Sequence, residues 1–126
     1  MRSIVYDTGV LIAAERNDRG IWLDHARHIT TDTMILVPAA VLAQAWRGGP
    51  QPQLSRFLAG CEIVELDETD AKRAGLLCAT ASTADVVDAS VVVVAQRHGA
   101  GIVTADPGDL TPLVATGGAP IPIIAV

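Results

Sequence analysis

The chain has 126 residues, half of them hydrophobic, 18% charged and only 3% aromatic, with a net charge of −5. That is the length of one domain rather than two, and the apolar content excludes a disordered chain. The acidic balance argues against a nucleic-acid binder, which usually shows a basic surplus. Nine Lys and Arg remain that could touch phosphates, Arg16, Arg19, Arg47 and Arg56 among them, and composition alone does not decide between these.

Ser3–Tyr6 is a β-branched run that predicts a buried strand, and Asp7 or Thr8 caps a helix that begins near Val10 and ends at Arg16. Asn17–Gly20 breaks that helix, and Ile21–His28 reads as another. Met34–Val37 predicts a second strand. Pro38 suits the first turn of a helix over Ala39–Arg47, which Gly48-Gly49-Pro50 stops. A short helix over Gln53–Ala59 ends at Gly60, and the alternation in Glu62–Leu66 indicates a strand. Asp67 and Asp70 open a helix that runs to about Ala81 in the manner of a capping box. The same rule makes Ser82 and Asp85 the start of the next helix, ended by His98-Gly99. Within it Val91–Val94 has strand propensity, but the cap before it and the glycine after it favour a fully buried helix. Ile102–Thr104 is a strand, Gly108–Ala115 a short helix and Ile121–Val126 a final strand. Strands alternating with helices throughout predict an α/β domain over residues 1–126, with a mostly parallel central sheet flanked by helices.

Cys61 and Cys78 form no C-x-x-C pair and no zinc spacing, so free thiols in a reducing cytosol are expected. The N-terminus has neither a long apolar region nor a cleavage signature. The apolar runs fall short of the ~20 residues that span a bilayer. These features predict a cytoplasmic protein with no membrane partner.

Four aspartates stand at or beside the ends of Val/Ile-rich segments: Asp7, Asp85, Asp88 and Asp106. Without them the remaining chain is nearly neutral. Each has an ordinary alternative except one. Asp7 can cap a helix; Asp106 opens Asp-Pro-Gly-Asp, a good turn; Asp109 can start the last helix; and Asp85 fits the capping box of Ser82. Asp88 lies a turn deeper in the most apolar stretch, three residues after Asp85 and on the same helix face. Gathered in one place, such carboxylates repel unless a cation or a proton offsets them, and a hard divalent ion with oxygen ligands is the simplest solution. Glu15, near the end of the first helix, pairs with Arg16 or Arg19 or faces the acidic site. A phosphatase of the haloacid dehalogenase type needs an Asp where Gly9 stands, and no P-loop, dinucleotide glycine motif or serine elbow is present.

The segments IVYDTGVLIAA, DVVDASVVVVA and GIVTADPGDL, in that order and context, resemble the PIN domain, and within it the VapC-type ribonuclease toxins of bacterial toxin–antitoxin pairs. The resemblance implies hydrolysis of RNA phosphodiesters with Asp7, Asp88 and Asp106 as catalytic residues. These three, joined by Asp85, would hold Mg²⁺ or Mn²⁺, with Asp109 nearby. It also implies an antitoxin partner and a homodimer. One departure stands out: the family's usual glutamate on the helix after the second strand is Gln44 here. A neutral amide can ligate a metal or orient a water, but it cannot act as a carboxylate base. A PIN-like module that binds RNA or protein without cutting is therefore the second expectation, and a purely structural subunit the third.

Overall fold

The computed structural model describes residues 2–118 and 120–126. Its strands are β1 (Ser3–Tyr6), β2 (Met34–Pro38), β3 (Glu62–Val64), β4 (Gly101–Thr104) and β5 (Ile123–Ala125). They form one sheet in the order β3-β2-β1-β4-β5 with every neighbouring pair parallel. The central strands are buried almost throughout, as continuous Val/Ile/Leu runs in a parallel sheet require. Val5 sits between Leu36 of β2 and Ile102 of β4.

Seven helices connect these strands among the described residues: α1 (Thr8–Glu15), α2 (Arg19–Thr30), α3 (Ala39–Ala45), α4 (Pro52–Leu58), α5 (Glu68–Ala81), α6 (Val86–His98) and α7 (Pro107–Gly117). Helices α5, α6 and α7 pack on one another, while α1 packs on α2, α3 and α4. The four-valine run lies in α6, and Ala89 through Ala95 are all buried there. Because the middle of that helix is covered on every side, Ala89 through Ala95 present no charged face. Its end is set by Gly99, whose φ of 60° places it in the left-handed region that glycine tolerates. No single helix among the described residues is long and apolar enough to cross a membrane.

Several expected boundaries move. Pro38 is the last residue of β2 and the N-cap of α3, not its first turn, and α3 stops at Ala45. β3 ends at Val64 rather than Leu66, and β5 begins at Ile123 rather than Ile121. The larger correction concerns Ser82. With φ at 58° it terminates α5 in the left-handed conformation, and its N–H donates to Cys78 O. The chain must turn sharply before α6, the two helix axes meeting at 116°. Asp85 is accordingly the N-cap of α6, and its Oδ1 accepts the Asp88 N–H at 3.0 Å.

The few aromatic side chains are concentrated behind β1. The Phe57 ring lies 3.8 Å from His25, 5.1 Å from Trp22 and 5.3 Å from Tyr6, centroid to centroid. The Tyr6 hydroxyl is hydrogen-bonded to His25 Nδ1 at 2.9 Å. His25 is 3% exposed, and burial, helped by His28, lowers its pKa to about 4 against the weaker opposing effect of a hydrogen bond to the Phe57 backbone. The unfolded imidazole takes up its proton near pH 6.5 while the buried one resists until about pH 4, so stability present above pH 6.5 is lost as pH falls through that window. The loss expected from this residue is about 2–3 kcal/mol. Urea denaturation of the wild type and His25→Gln at pH 7 and pH 4.5 measures it: the stability difference between the two should shrink by that amount at the lower pH. A pH-independent difference would contradict the assignment.

A second buried polar contact ties α5 to α6. Asp70, 1% exposed, accepts from the Arg97 guanidinium, so an acid read only as part of a helix cap also anchors the helix pair that carries Asp88.

Candidate active site

The strand order reverses direction at β1, with β2 on one side and β4 on the other. In open α/β sheets this is where the loops after adjacent strands diverge and leave a crevice at their carboxyl ends. Asp7 follows β1 directly, and Asp106 lies two residues past the end of β4. The Asp7 N–H donates to Val103 O at 3.1 Å, extending the parallel ladder to the edge of the crevice. Gly9 permits the close approach of α1, since a Cβ there would stand 3.3 Å from the Ala105 Cβ.

Asp7 is 7% exposed, and each of its oxygens accepts one hydrogen bond. Its Oδ1 accepts the Thr8 N–H at 2.8 Å, and its Oδ2 accepts the Thr104 hydroxyl at 2.8 Å. Thr104, itself wholly buried, also accepts the Asp106 N–H at 2.9 Å. One hydroxyl thus locks the ends of β1 and β4 into a single unit. The Asp106 side chain makes no capping bond to α7, so the turn that seemed to account for this residue leaves its carboxylate unspent. Asp109 lies in the first turn of α7 and faces the same crevice.

Asp85 and Asp88 reach the crevice from the N-terminus of α6. A carboxylate in a first helical turn is normally favoured by the helix dipole, yet Asp88 is raised from the ordinary carboxylate value to about 7. Burial is the largest cause. The Asp85 carboxyl, positioned to share a hydrogen bond with the protonated form and to repel the ionised one, comes next, followed by the charges of Asp7 and Asp109. Asp88 does have the local explanation that its sequence context seemed to deny it, as the third helical residue under the Asp85 cap. What the cap does not explain is its resistance to ionisation.

Asp7, Asp85, Asp88, Asp106 and Asp109 therefore line one open cleft of about 340 Å³, together with Thr8, Gly9, Ile12, Gln44 and Arg47. Gln44 projects from α3, and its Oε1 accepts the Thr8 hydroxyl at 2.7 Å. Glu15 is elsewhere: its Oε2 accepts the Leu54 N–H at 2.6 Å at the start of α4. It neither pairs with Arg16 or Arg19 nor supplements the acids, but satisfies a helix N-terminus.

The donors facing the cleft are all oxygens, the chemistry preferred by Mg²⁺ and Mn²⁺. Among the described residues no three Asp, Glu, His or Cys side chains close on a common point as a complete ligand set would. Two carboxylates are partly committed, Asp7 to Thr8 and Thr104 and Asp85 to the α6 cap. Such an open arrangement fits Mg²⁺, which keeps several waters and needs only one or two protein carboxylates. Thr8 and Thr104 are site residues that the spacing of acids did not single out; the T-x-D pattern ending β4 was the one local signal for Thr104.

No curated protein matches this chain in sequence. Solved structures resemble it in fold over nearly their whole length. A chain of VapBC2 from Rickettsia felis bound to a DNA fragment from its promoter superposes with a TM-score of 0.69 at 13% identity, covering 98% of both chains. FitAB bound to the IR36 DNA fragment gives 0.64 at 18% identity, covering 97% of this chain and 94% of that one. FitAcB from Neisseria gonorrhoeae gives 0.64 at 17% identity, covering 96% of each. The family model described as PIN domain matches residues 4–109, which takes in Asp7, Gln44, Asp88, Asp106 and Asp109 and stops only after the last of the cleft acids. By that match, and by the parallel sheet that gathers those acids at its switch point, the chain belongs to the PIN-domain family.

Proposed function

We propose that this PIN domain, taken as one unit over residues 1–126, is a divalent-metal-dependent endoribonuclease and the toxin of a VapC-type toxin–antitoxin pair. The observation that carries the reading is the convergence of Asp7, Asp85, Asp88, Asp106 and Asp109 on one open cleft at the carboxyl ends of β1 and β4. Family membership and the likeness to chains of the VapBC2 and FitAB assemblies support it.

Asp7, Asp88 and Asp106 would hold Mg²⁺ or Mn²⁺, with Asp85 and Asp109 assisting directly or through water. When bound, such an ion supplies Lewis acidity, making a water more acidic and offsetting charge on phosphoryl oxygens. The chain's own residues do the rest. Thr8 and Thr104 fix the Asp7 carboxylate, so its orientation is set before substrate arrives. Asp88, raised toward neutrality by burial and by its neighbouring carboxylates, would have to give up its proton to hold the ion, so metal binding would release a proton and strengthen as pH rises through 7. An antitoxin covering the acidic cleft, a homodimer and a cytoplasmic setting belong to the same proposal. Leu76 and Val86, 69% and 57% exposed, are apolar surface available to such partners.

Incubation of single-stranded RNA with Mg²⁺ or Mn²⁺ tests the function. Cleavage is expected, and EDTA should abolish it; cleavage that persists in EDTA overturns the metal mechanism. Gln44 supports a second reading, an RNA-binding module that does not cut. Calorimetry with no detectable Mg²⁺ binding alongside retained RNA affinity would favour that module. Gln44→Glu discriminates further. A carboxylate beside Thr8 adds ligand charge to the cleft, so Mg²⁺ affinity at pH 8 should rise about tenfold. An unchanged affinity would place the Gln44 oxygen outside the metal's reach.

A further inference from the structure

Arg47 is the one basic side chain lining the acidic cleft among the described residues. It forms no ion pair with any of the five aspartates there, although ion pairs occur elsewhere in the fold. Its Nη1 instead donates to Trp46 O at 3.0 Å and to Ala43 O at 3.4 Å, the carbonyls at the end of α3. Its backbone N–H donates to Gln51 Oε1 at 2.7 Å, while Gln51 Nε2 donates back to Ala45 O at 3.2 Å. The guanidinium is thereby tethered at one nitrogen, with Nη2 and Nε not engaged by these bonds. Three residues earlier and also in the cleft lining, the carbonyl oxygen of Gln44 accepts from Thr8, and its amide nitrogen has no hydrogen bond among the described residues.

The cleft lining thus combines carboxylates from the end of β1, α6 and the start of α7 with hydrogen-bond donors from α3 and the loop after it. We propose that Arg47 is the phosphate-contacting residue of this cleft, gripping non-bridging oxygens of the RNA backbone while Gln44 donates to the same segment. The inference rests on the ribonuclease reading and names the substrate contact within it. A polyanion entering past five carboxylates meets strong repulsion, which a divalent ion offsets only locally. A guanidinium in the same cleft lining matches phosphate bidentately and keeps its charge at any working pH. Where the family's usual acid would repel that phosphate, the neutral Gln44 does not.

Binding of a short fluorescein-labelled single-stranded RNA, followed by anisotropy in Mg²⁺ over a series of KCl concentrations, tests the contact. The parent is Asp88→Asn, in which cleavage should not obscure binding. Adding Arg47→Ala should weaken affinity about tenfold at low salt and flatten the slope of log K against log [KCl] by about 0.7, the signature of one lost phosphate contact on a single strand. Arg47→Lys should recover the slope but only part of the affinity. Arg56, which stacks over Trp22 at 5.0 Å and lies outside the cleft, provides the control: Arg56→Ala should leave the slope unchanged. A role limited to capping α3 would lower thermal stability without moving the slope. An unchanged slope in Arg47→Ala, or equal flattening in Arg56→Ala, overturns the proposal while leaving the nuclease reading intact. If the parent binds no RNA and the wild type cuts none, both fall.

Discussion

Asp88→Asn is expected to abolish RNA cleavage, by a factor on the order of 10²–10³, and at the same time to make the fold more stable. The two effects have one origin. Burial and the neighbouring carboxyls raise Asp88 to about 7, whereas in the unfolded chain it ionises near its ordinary value of 3.8. Between those pH values the folded state binds the extra proton, so stability falls as pH rises from about 4 to about 7 and stays reduced above that. The full shift corresponds to about 4 kcal/mol. Because Asp88 is only partly buried, solvent screening reduces this to on the order of 2 kcal/mol. Asn is neutral throughout and removes the penalty. Urea denaturation at pH 4 and pH 8 should therefore show wild type and Asp88→Asn nearly equal at the lower pH and separated by that amount at the higher one. Mg²⁺ should narrow the separation, because an ion bound to the folded wild type stabilises it by mass action. A separation that does not grow with pH, or undiminished cleavage, would contradict the role given to Asp88.

This opposition between stability and chemistry shows why the acids were legible in the sequence and parts of their geometry were not. Asp7 and Asp106 follow β-branched runs, and strand ends in a parallel α/β sheet are where ligands bind, so their convergence follows from the alternation of elements alone. Ser82 shows where local rules mislead. Ser-x-x-Asp satisfies the pattern of a capping box, but the fold needs a left-handed residue to end α5 before the chain turns through 116° into α6. That demand is tertiary, and it shifts the cap to Asp85 and draws Asp88 into the first turn. Glu15 failed for a similar reason. Its partner is the Leu54 N–H, 39 residues away, and no spacing rule links an acid at the end of one helix to the open start of another. The pairing of Asp70 with Arg97, 27 residues apart, was invisible on the same grounds.

Arg47 and Gln44 belong to the same lesson. In the sequence, Arg47 was one of nine cations that could touch phosphate, and Gln44 stood out by resemblance alone, at the position of the family's usual glutamate. The folding of α3 against α1 brings both into the cleft lined by Asp7 and Asp88, Gln44 by way of the Thr8 bond. A site of this kind consists of what the acids face as much as of the acids themselves.

The aromatic cluster behind β1 is one part of the core that offsets the repulsion in the cleft, and Phe57→Ala measures its contribution. Phe57 is fully buried and is the one phenylalanine in the chain, in contact with Tyr6, Trp22 and His25 together. Removing the ring deletes apolar contacts from α4, β1 and α2 at once and leaves a cavity that the stiff aromatic neighbours cannot readily close, a loss of about 3–5 kcal/mol. For a domain of this length that is a large share of the total stability, and a fall in Tm on the order of 15 °C is expected. A second readout separates this from simple weakening of the fold. With the ring gone, water reaches His25, and the burial that holds its pKa near 4 is relieved. The His25 titration followed by NMR should move up toward 6.5, and the acid-induced loss of stability should shrink with it. Asp88 sits on α6, outside the aromatic cluster, so its titration near pH 7 should persist in the folded variant. An unchanged His25 titration would mean that Phe57 does not shield the imidazole. A shift of Asp88 in step with His25 would mean that the cluster and the cleft are a single mechanical unit, with the cleft's acid set by packing behind β1 rather than by its own neighbours.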